Sequence, residues 1–137
     1  MKRGYCDDIE KQTIANTDFR RVLYTGQKLQ LVLMTLQPGD EIGSEVHEDR
    51  DQFFRFEEGE GVVMIDGKEN AVADGTGVIV PAGARHNVMN RGSSPLKLYT
   101  LYGPPEHLDG VVQATKAEAD QRHPDEEWDG VTTEENC

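Results

Sequence analysis

The sequence predicts an all-β fold: a jelly-roll β-barrel followed by a short C-terminal helix and an acidic tail. Three observations predict it. Between Asp18 and Tyr102, short runs rich in Leu, Val, Ile, Thr and aromatic residues alternate with Gly- and Pro-bearing turns, the punctuation of short antiparallel strands. No helix-period pattern interrupts them. Ile65-Asp66-Gly67-Lys68 holds the Asp-Gly pair of a two-residue hairpin, whose type I′ turn needs positive φ at both central residues. A chain of 137 residues can bury one sizeable core but not two, so 1–137 is read as a single domain, with the barrel at about 18–103 and an extension over 104–137.

The segment up to Ile14 is polar and weakly patterned, and is expected to form an irregular arm or a short edge strand. The next run, DFRRVLYTG, reads as a strand ending in a turn. In KLQLVLMTLQPGD, Leu29, Leu31, Leu33 and Thr35 leave one face of a strand, and Gln30, Val32, Met34 and Leu36 leave the other. Both faces are apolar in the middle. That predicts a strand packed between two layers or against a second copy, and a homodimer is the expected assembly. Pro38-Gly39-Asp40 ends it with a turn.

After a polar stretch, Gln52 to Phe56 resumes as a strand. Gly61 to Ile65 and Lys68 to Ala73 flank the hairpin turn, and Gly77 to Val80 is stopped by Pro81-Ala82-Gly83. Arg85 to Asn90 and Leu96 to Tyr102 complete the set. Tyr99 and Tyr102 are read as packing residues. Ala114 to Gln121 is expected to be helical, because Ala, Lys, Glu and Gln are good helix formers. Arg122 to Cys137 is too polar and acidic to be assigned structure, and is read as a solvated tail.

The net charge of −12 excludes two classes of partner, since such a surface repels phosphate backbones and anionic lipid: no nucleic acid and no membrane is expected. No window approaches the roughly eighteen apolar residues of a membrane span, and the N-terminus MKRGYCDDIEK lacks the apolar core of a secretion signal, so the expected location is cytoplasmic. Cys6 and Cys137 form no CxxC pair and are expected to be free thiols.

Chemistry concentrates in two stretches, Gly39 to Gly61 and Gly75 to Asn90. Glu45 and His47 are two apart, so in strand geometry they leave one face. In the strand beyond them, Gln52, Phe54 and Phe56 share the face suited to a barrel interior, while Asp51, Phe53 and Arg55 face away. If the two stretches are neighbouring strands, Glu45, His47, Gln52 and His86 converge. Imidazole, carboxylate and amide oxygen together suit a divalent ion such as Mn²⁺, Fe²⁺, Ni²⁺, Co²⁺ or Zn²⁺. One carboxylate neutralises half of the ion's charge, which leaves room for an anionic substrate or hydroxide. Phe54 and Phe56 are expected to wall the pocket, and Arg85 is read either as a surface residue or as one that reaches the pocket mouth. Arg55 is read as an ion-pair or subunit-contact residue. His107 is read as a solvated loop histidine.

The same residues resemble the two motifs of the cupin superfamily of small metal-binding β-barrels. The first motif appears as Gly39, five residues, Glu45-Val46-His47, four residues, Gln52, six residues and Gly59. The second is matched at every fixed position by Gly75, Pro81, Gly83, His86 and Asn90. Glu45 stands where the family usually has a histidine, and Gln52 where it has a glutamate. Both substitutes retain an oxygen ligand. The resemblance covers about Leu29 to Tyr102 and implies a divalent metal held by these four side chains and a small-molecule ligand. It also implies an enzyme of sugar or sugar-phosphate isomerase or dioxygenase type, or alternatively a non-catalytic module that binds or senses a small ligand. No catalytic residue beyond the ligands is identified in the sequence.

Overall fold

The structure, a computed structural model, describes residues 1–121 and 126–136. Its elements in chain order are α1 (Ile9–Ala15), β1 (Arg20–Thr25), β2 (Gln30–Leu36), β3 (Glu45–Val46), β4 (Asp51–Glu58), β5 (Glu60–Ile65), β6 (Lys68–Ala73), β7 (Gly77–Val80), β8 (Arg85–Met89), β9 (Leu96–Gly103), β10 (Val112–Gln113) and α2 (Lys116–Asp120). Every strand pair is antiparallel. A six-stranded sheet runs β10-β1-β2-β9-β4-β7 and a four-stranded sheet runs β3-β8-β5-β6. The two face each other as a jelly-roll barrel.

The period-two pattern of β2 carries the core. Val32, Met34 and Leu36 are fully enclosed, and Phe54, Phe56, Val63, Val88, Leu96 and Leu98 meet them from neighbouring strands. Each such side chain contributes about 1.5–3 kcal/mol by leaving water. The hairpin forms as predicted: Ile65 pairs with Lys68, and Asp66 and Gly67 take φ of 46° and 83°. Gly59 turns β4 into β5 at φ 91°, where an added Cβ would lie 2.5 Å from the Pro95 carbonyl oxygen. No larger residue fits there without moving that backbone.

Several expectations are corrected. The opening segment is an irregular, exposed arm over residues 1–8, as expected, but residues 9–15 form a helix rather than an arm or an edge strand. The Asp8 side chain caps it by accepting from the Lys11 amide. α1 lies over β2, β9 and β4 on the outer face of the large sheet and covers Leu33. The second layer predicted for β2 is therefore in part the chain's own N-terminus. The C-terminal end of this helix is anchored by Lys97, whose ammonium donates to the Asn16 carbonyl, and by Thr35, whose hydroxyl donates to it also. A cation suits that position, where helix carbonyls concentrate partial negative charge. The extension is no appendage either, since β10 pairs with β1 and extends the barrel sheet. The predicted helix is present as α2, capped by the Thr115 hydroxyl.

Part of the acidic tail also returns to the barrel. Arg122, His123, Pro124, Asp125 and Cys137 lie outside the described residues, but Glu126–Asn136 packs back. Thr132 is buried, and the Thr133 amide donates to the Thr25 carbonyl. Glu134 clasps the chain's other end by accepting from the amides of Arg3 and Gly4 and from the Tyr24 hydroxyl, at 2.9, 2.8 and 2.6 Å. The Tyr24 hydroxyl, foremost, and the two amides hold the Glu134 carboxyl down to about 2. A depressed carboxylate contributes stability that is complete above its ordinary value of 4.5 and is lost as pH falls through about 2. Carbon-detected NMR titration of Glu134 should give a midpoint near 2. A midpoint at the ordinary carboxylate value would show that the clasp is not formed. Cys6 is an exposed free thiol, as expected. No helix of the described residues is long and apolar enough to cross a membrane.

Candidate metal centre

Sheet register brings the predicted ligands together. Glu45 on β3 pairs directly with His86 on β8, so both side chains leave the same face of the small sheet, and His47 follows Glu45 with the same parity. From the opposite sheet, Gln52 on β4 pairs with Tyr102 on β9 and points inward, 3% exposed. The rings of His47 and His86 are 5.3 Å apart. Glu45, His47 and His86 each offer a donor atom, and these atoms all lie within 4.8 Å of one another. That spacing is compatible with three ligands of one ion, whose bonds to nitrogen and oxygen are about 2.0–2.2 Å long.

The surroundings set the state of each group. The Nδ1 of His86 lies 3.2 Å from the Ala84 carbonyl oxygen, and that of His47 lies 3.2 Å from Glu106 Oε2. A carbonyl and a carboxylate only accept, so each Nδ1 carries the proton and each Nε2 lone pair is left for the centre. Burial lowers the pKa of His86 despite its bond to Ala84, which keeps the ring neutral as a ligand must be. Burial pushes Glu45 upward, but the neighbouring His47, with Arg20 and His86 beyond it, outweighs this and the net shift is downward, so Glu45 is an ionised acceptor. His47 Nε2 lies 3.0 Å from Glu45 Oε2 without acceptable hydrogen-bond geometry, so a proton on His47 or a shared cation would satisfy the pair.

Gln52 adds a second oxygen acceptor, after Glu45, to the two histidine nitrogens. The Thr100 hydroxyl donates to the Phe53 carbonyl and so must accept from Gln52, whose amide nitrogen lies 3.0 Å away. That fixes the amide orientation and leaves Gln52 Oε1 buried with no partner. Such an atom costs about 1–3 kcal/mol if left alone. The donor set of two imidazoles, a carboxylate and an amide oxygen fits a divalent ion.

Phe54 borders the centre, its ring 6.3 Å from that of His86. Phe56 does not line the pocket directly. It stacks behind Phe54 at 6.4 Å and belongs to the core. Arg85 is corrected more firmly as a pocket residue. It pairs with Val46, one residue off the Glu45–His86 pair, so it faces outward and is exposed, with only a 3.4 Å contact to Ser44 Oγ. The alternation rule applied to His86 already excludes it from the interior. Arg55 forms the expected ion pair, donating to Glu57 at 2.7 Å.

His107 overturns its reading as a solvated residue. It is 2% exposed, and its Nε2 lies 3.3 Å from the Tyr102 hydroxyl. The cause is Gln30, which points inward from β2. Its side chain donates to the His107 carbonyl at 2.7 Å and accepts from the amides of Glu106 and His107. This clamp delivers Glu106, a residue that no spacing in the sequence marks, to the back of His47. Glu106 is held in turn by Arg50 at 2.6 Å. Replacing Glu106 with Gln should weaken metal affinity by about 10–100-fold, the usual cost of losing the carboxylate that orients a ligating histidine. Competition against a chelator reads this directly, and unchanged affinity would show that Glu106 has no such role.

Comparison with known proteins agrees with this geometry. The family described as "Cupin domain" matches residues 32–102. The uncharacterized protein YrkC of Bacillus subtilis is 44% identical over 119 residues, which cover 82% of this chain. The chain spans 63% of that relative's own length. Protein L612 of Acanthamoeba polyphaga mimivirus is 34% identical over 120 residues, covering 84% of this chain and 74% of that protein. Among solved structures, BH2720 of Bacillus halodurans superposes with a TM-score of 0.86 at 44% identity, covering 88% of this chain and 96% of that one.

Proposed function

This chain belongs to the cupin family, and from that premise we propose that it is a metal-dependent enzyme acting on a small polar molecule. The observation that carries the reading is the convergence of Glu45, His47 and His86 beside the unpartnered Oε1 of buried Gln52. His47, His86 and Glu45 hold the ion, with Gln52 as a fourth ligand. When bound, a divalent ion polarises a substrate oxygen and, if it is iron or manganese, supplies redox chemistry.

The chain's own residues bias the choice of reaction. Burial pushes the Tyr102 pKa far up, so its hydroxyl keeps its proton and serves as a hydrogen-bond donor. The second carboxylate beside the centre, Glu106, is committed to His47 and Arg50. An isomerase needs a base able to move a proton between carbons, and no described residue is left for that task. A dioxygenase-like reaction asks less of the protein, because the redox metal carries it. The test is metal analysis of chelator-free protein, followed by oxygen uptake of Fe²⁺-loaded protein with small hydroxy acids, oxo acids and polyols. Stoichiometric metal and substrate-dependent oxygen uptake support the reading. Failure to take up any of Mn²⁺, Fe²⁺, Ni²⁺, Co²⁺ or Zn²⁺ overturns the metal centre, and turnover without oxygen overturns the dioxygenase assignment.

We propose that a homodimer forms through the outer face of the large sheet. There Ile79, Phe53, Leu101 and Leu31 pair across successive strands as one apolar row, and Ile79 is 69% exposed. Ile79→Lys should convert a particle of twice the 15.3 kDa chain mass into one of 15.3 kDa by light scattering. A parent already at the single-chain mass would remove the proposal.

A further inference from the structure

One strongly charged interior group is not used by the metal centre. Arg20 is 4% exposed and occupies the inward face of β1, opposite Met34 of β2. Its Nη1 donates to Gln113 Oε1 at 2.6 Å, while its Nε has no partner. A guanidinium is charged at any accessible pH, and a buried donor left unpaired is destabilising. Arg20 lines an open cleft of about 330 Å³ whose wall also includes Phe19, Ile42, Lys116 and two carboxylates, the candidate ligand Glu45 and Asp120, the latter paired with Lys116. The cavity and the metal centre thus share a side chain.

We propose that this cavity is the substrate site, and that Arg20 receives an oxyanion, a carboxylate or a phosphoryl group, of a small ligand whose remaining polar end faces the metal centre. The inference rests on the metal reading for the identity of the neighbouring centre, and on Arg20 for the rest.

Charge balance supports it. Without an ion, Glu45 offsets Arg20. A divalent ion claims that carboxylate and leaves Arg20 uncompensated beside an ion that is itself half neutralised. Glu106 is already matched by Arg50, and Lys116 by Asp120 at 2.7 Å. The Lys116 ammonium also donates to the Ile42 carbonyl at 3.0 Å, so it closes the cavity wall and adds no net charge. An incoming anion is the remaining source of balance.

Geometry narrows the ligand further. Nη1 is held by Gln113 and Nε is enclosed without a partner, so a small oxyanion entering the cavity would be met by the guanidinium's charge and would accept from it. Phe19, Ile42 and Ala119 offer the cavity an apolar lining for a short carbon skeleton.

The experiment is calorimetric titration of malonate, inorganic phosphate and the uncharged malonamide into Mn²⁺-loaded and chelator-stripped protein, for the parent, Arg20→Met and Arg20→Lys. The expected result is binding of malonate or phosphate but not malonamide, weakened about tenfold or more in Arg20→Met and less in Arg20→Lys, with metal content unchanged. Whichever of malonate and phosphate binds tighter assigns the carboxylate or the phosphoryl source. Equal affinity in parent and Arg20→Met overturns the proposal, as does malonamide binding as well as malonate, or the absence of binding by both anions. The malonate and malonamide comparison in the parent stands even if Arg20→Met fails to fold. Protein that takes up no metal contradicts the metal centre; Arg20-dependent anion binding is then read in the stripped sample, where Glu45 offsets Arg20 and a lower affinity is expected, and its complete absence there overturns the anion site as well.

Discussion

A His86→Ala variant is expected to fold and to lose its metal. His86 is enclosed, neutral, and directly opposite Glu45 in the β3–β8 register, and no other described His, Cys, Asp or Glu joins the cluster to replace it. Removing an orienting partner of a metal ligand typically costs about 10–100-fold in affinity, so removing the ligand itself should cost more than about 100-fold. The structural cost is smaller. The imidazole's bond to the Ala84 carbonyl disappears, at about 1–2 kcal/mol, and the small sheet keeps its backbone pairing. Metal content per chain and near-ultraviolet circular dichroism report the two effects separately. A variant that retains stoichiometric metal would place the ion elsewhere.

Phe56→Ala should do the reverse, losing stability while keeping metal. Phe56 is 0% exposed and packs in the cluster with Leu98, its cross-strand partner, and Phe54. Truncating a fully buried Phe costs about 3–5 kcal/mol through lost transfer energy and the cavity left behind. Against a typical total of about 5–15 kcal/mol this is a large fraction. Urea unfolding should show the midpoint displaced with the slope preserved, and metal analysis should show undiminished content. A cost below about 1 kcal/mol would mean that the ring is not part of the core. The pairing of these variants separates the wall of the centre from the packing behind it, which the alternation of Gln52, Phe54 and Phe56 along one strand face cannot do.

That alternation marks the limit of what was legible. Side-chain direction along a strand is a local property with period two, so the inward set Gln52, Phe54 and Phe56 and the outward set Phe53 and Arg55 follow from residue order alone. The Asp66-Gly67 turn is equally local. A place at the pocket mouth stayed open for Arg85 only because the same rule was not applied to its neighbour His86. The helix over residues 9–15 escaped because its apolar face is small. Its stability comes from the Asp8 cap and from the anchoring of Asn16 by Thr35 and Lys97, and the last two depend on a sheet that residues 9–15 do not encode. The adjacent pair Arg20-Arg21 did hold a signal, since on a strand one of two consecutive arginines must face inward.

The sequence by itself determined the strands, their turns and which side chains share a strand face, because strand parity and turn chemistry act over a few residues, while the candidate ligand set came from the motif resemblance. Tertiary structure alone decided that Gln30 draws Glu106 behind His47, that His107 is enclosed against Tyr102, and that Arg20 shares a cavity with Glu45. Those neighbours come from segments far apart in the chain. They meet only because closing two sheets into a barrel fixes which inward faces oppose each other, and no local pattern contains that information.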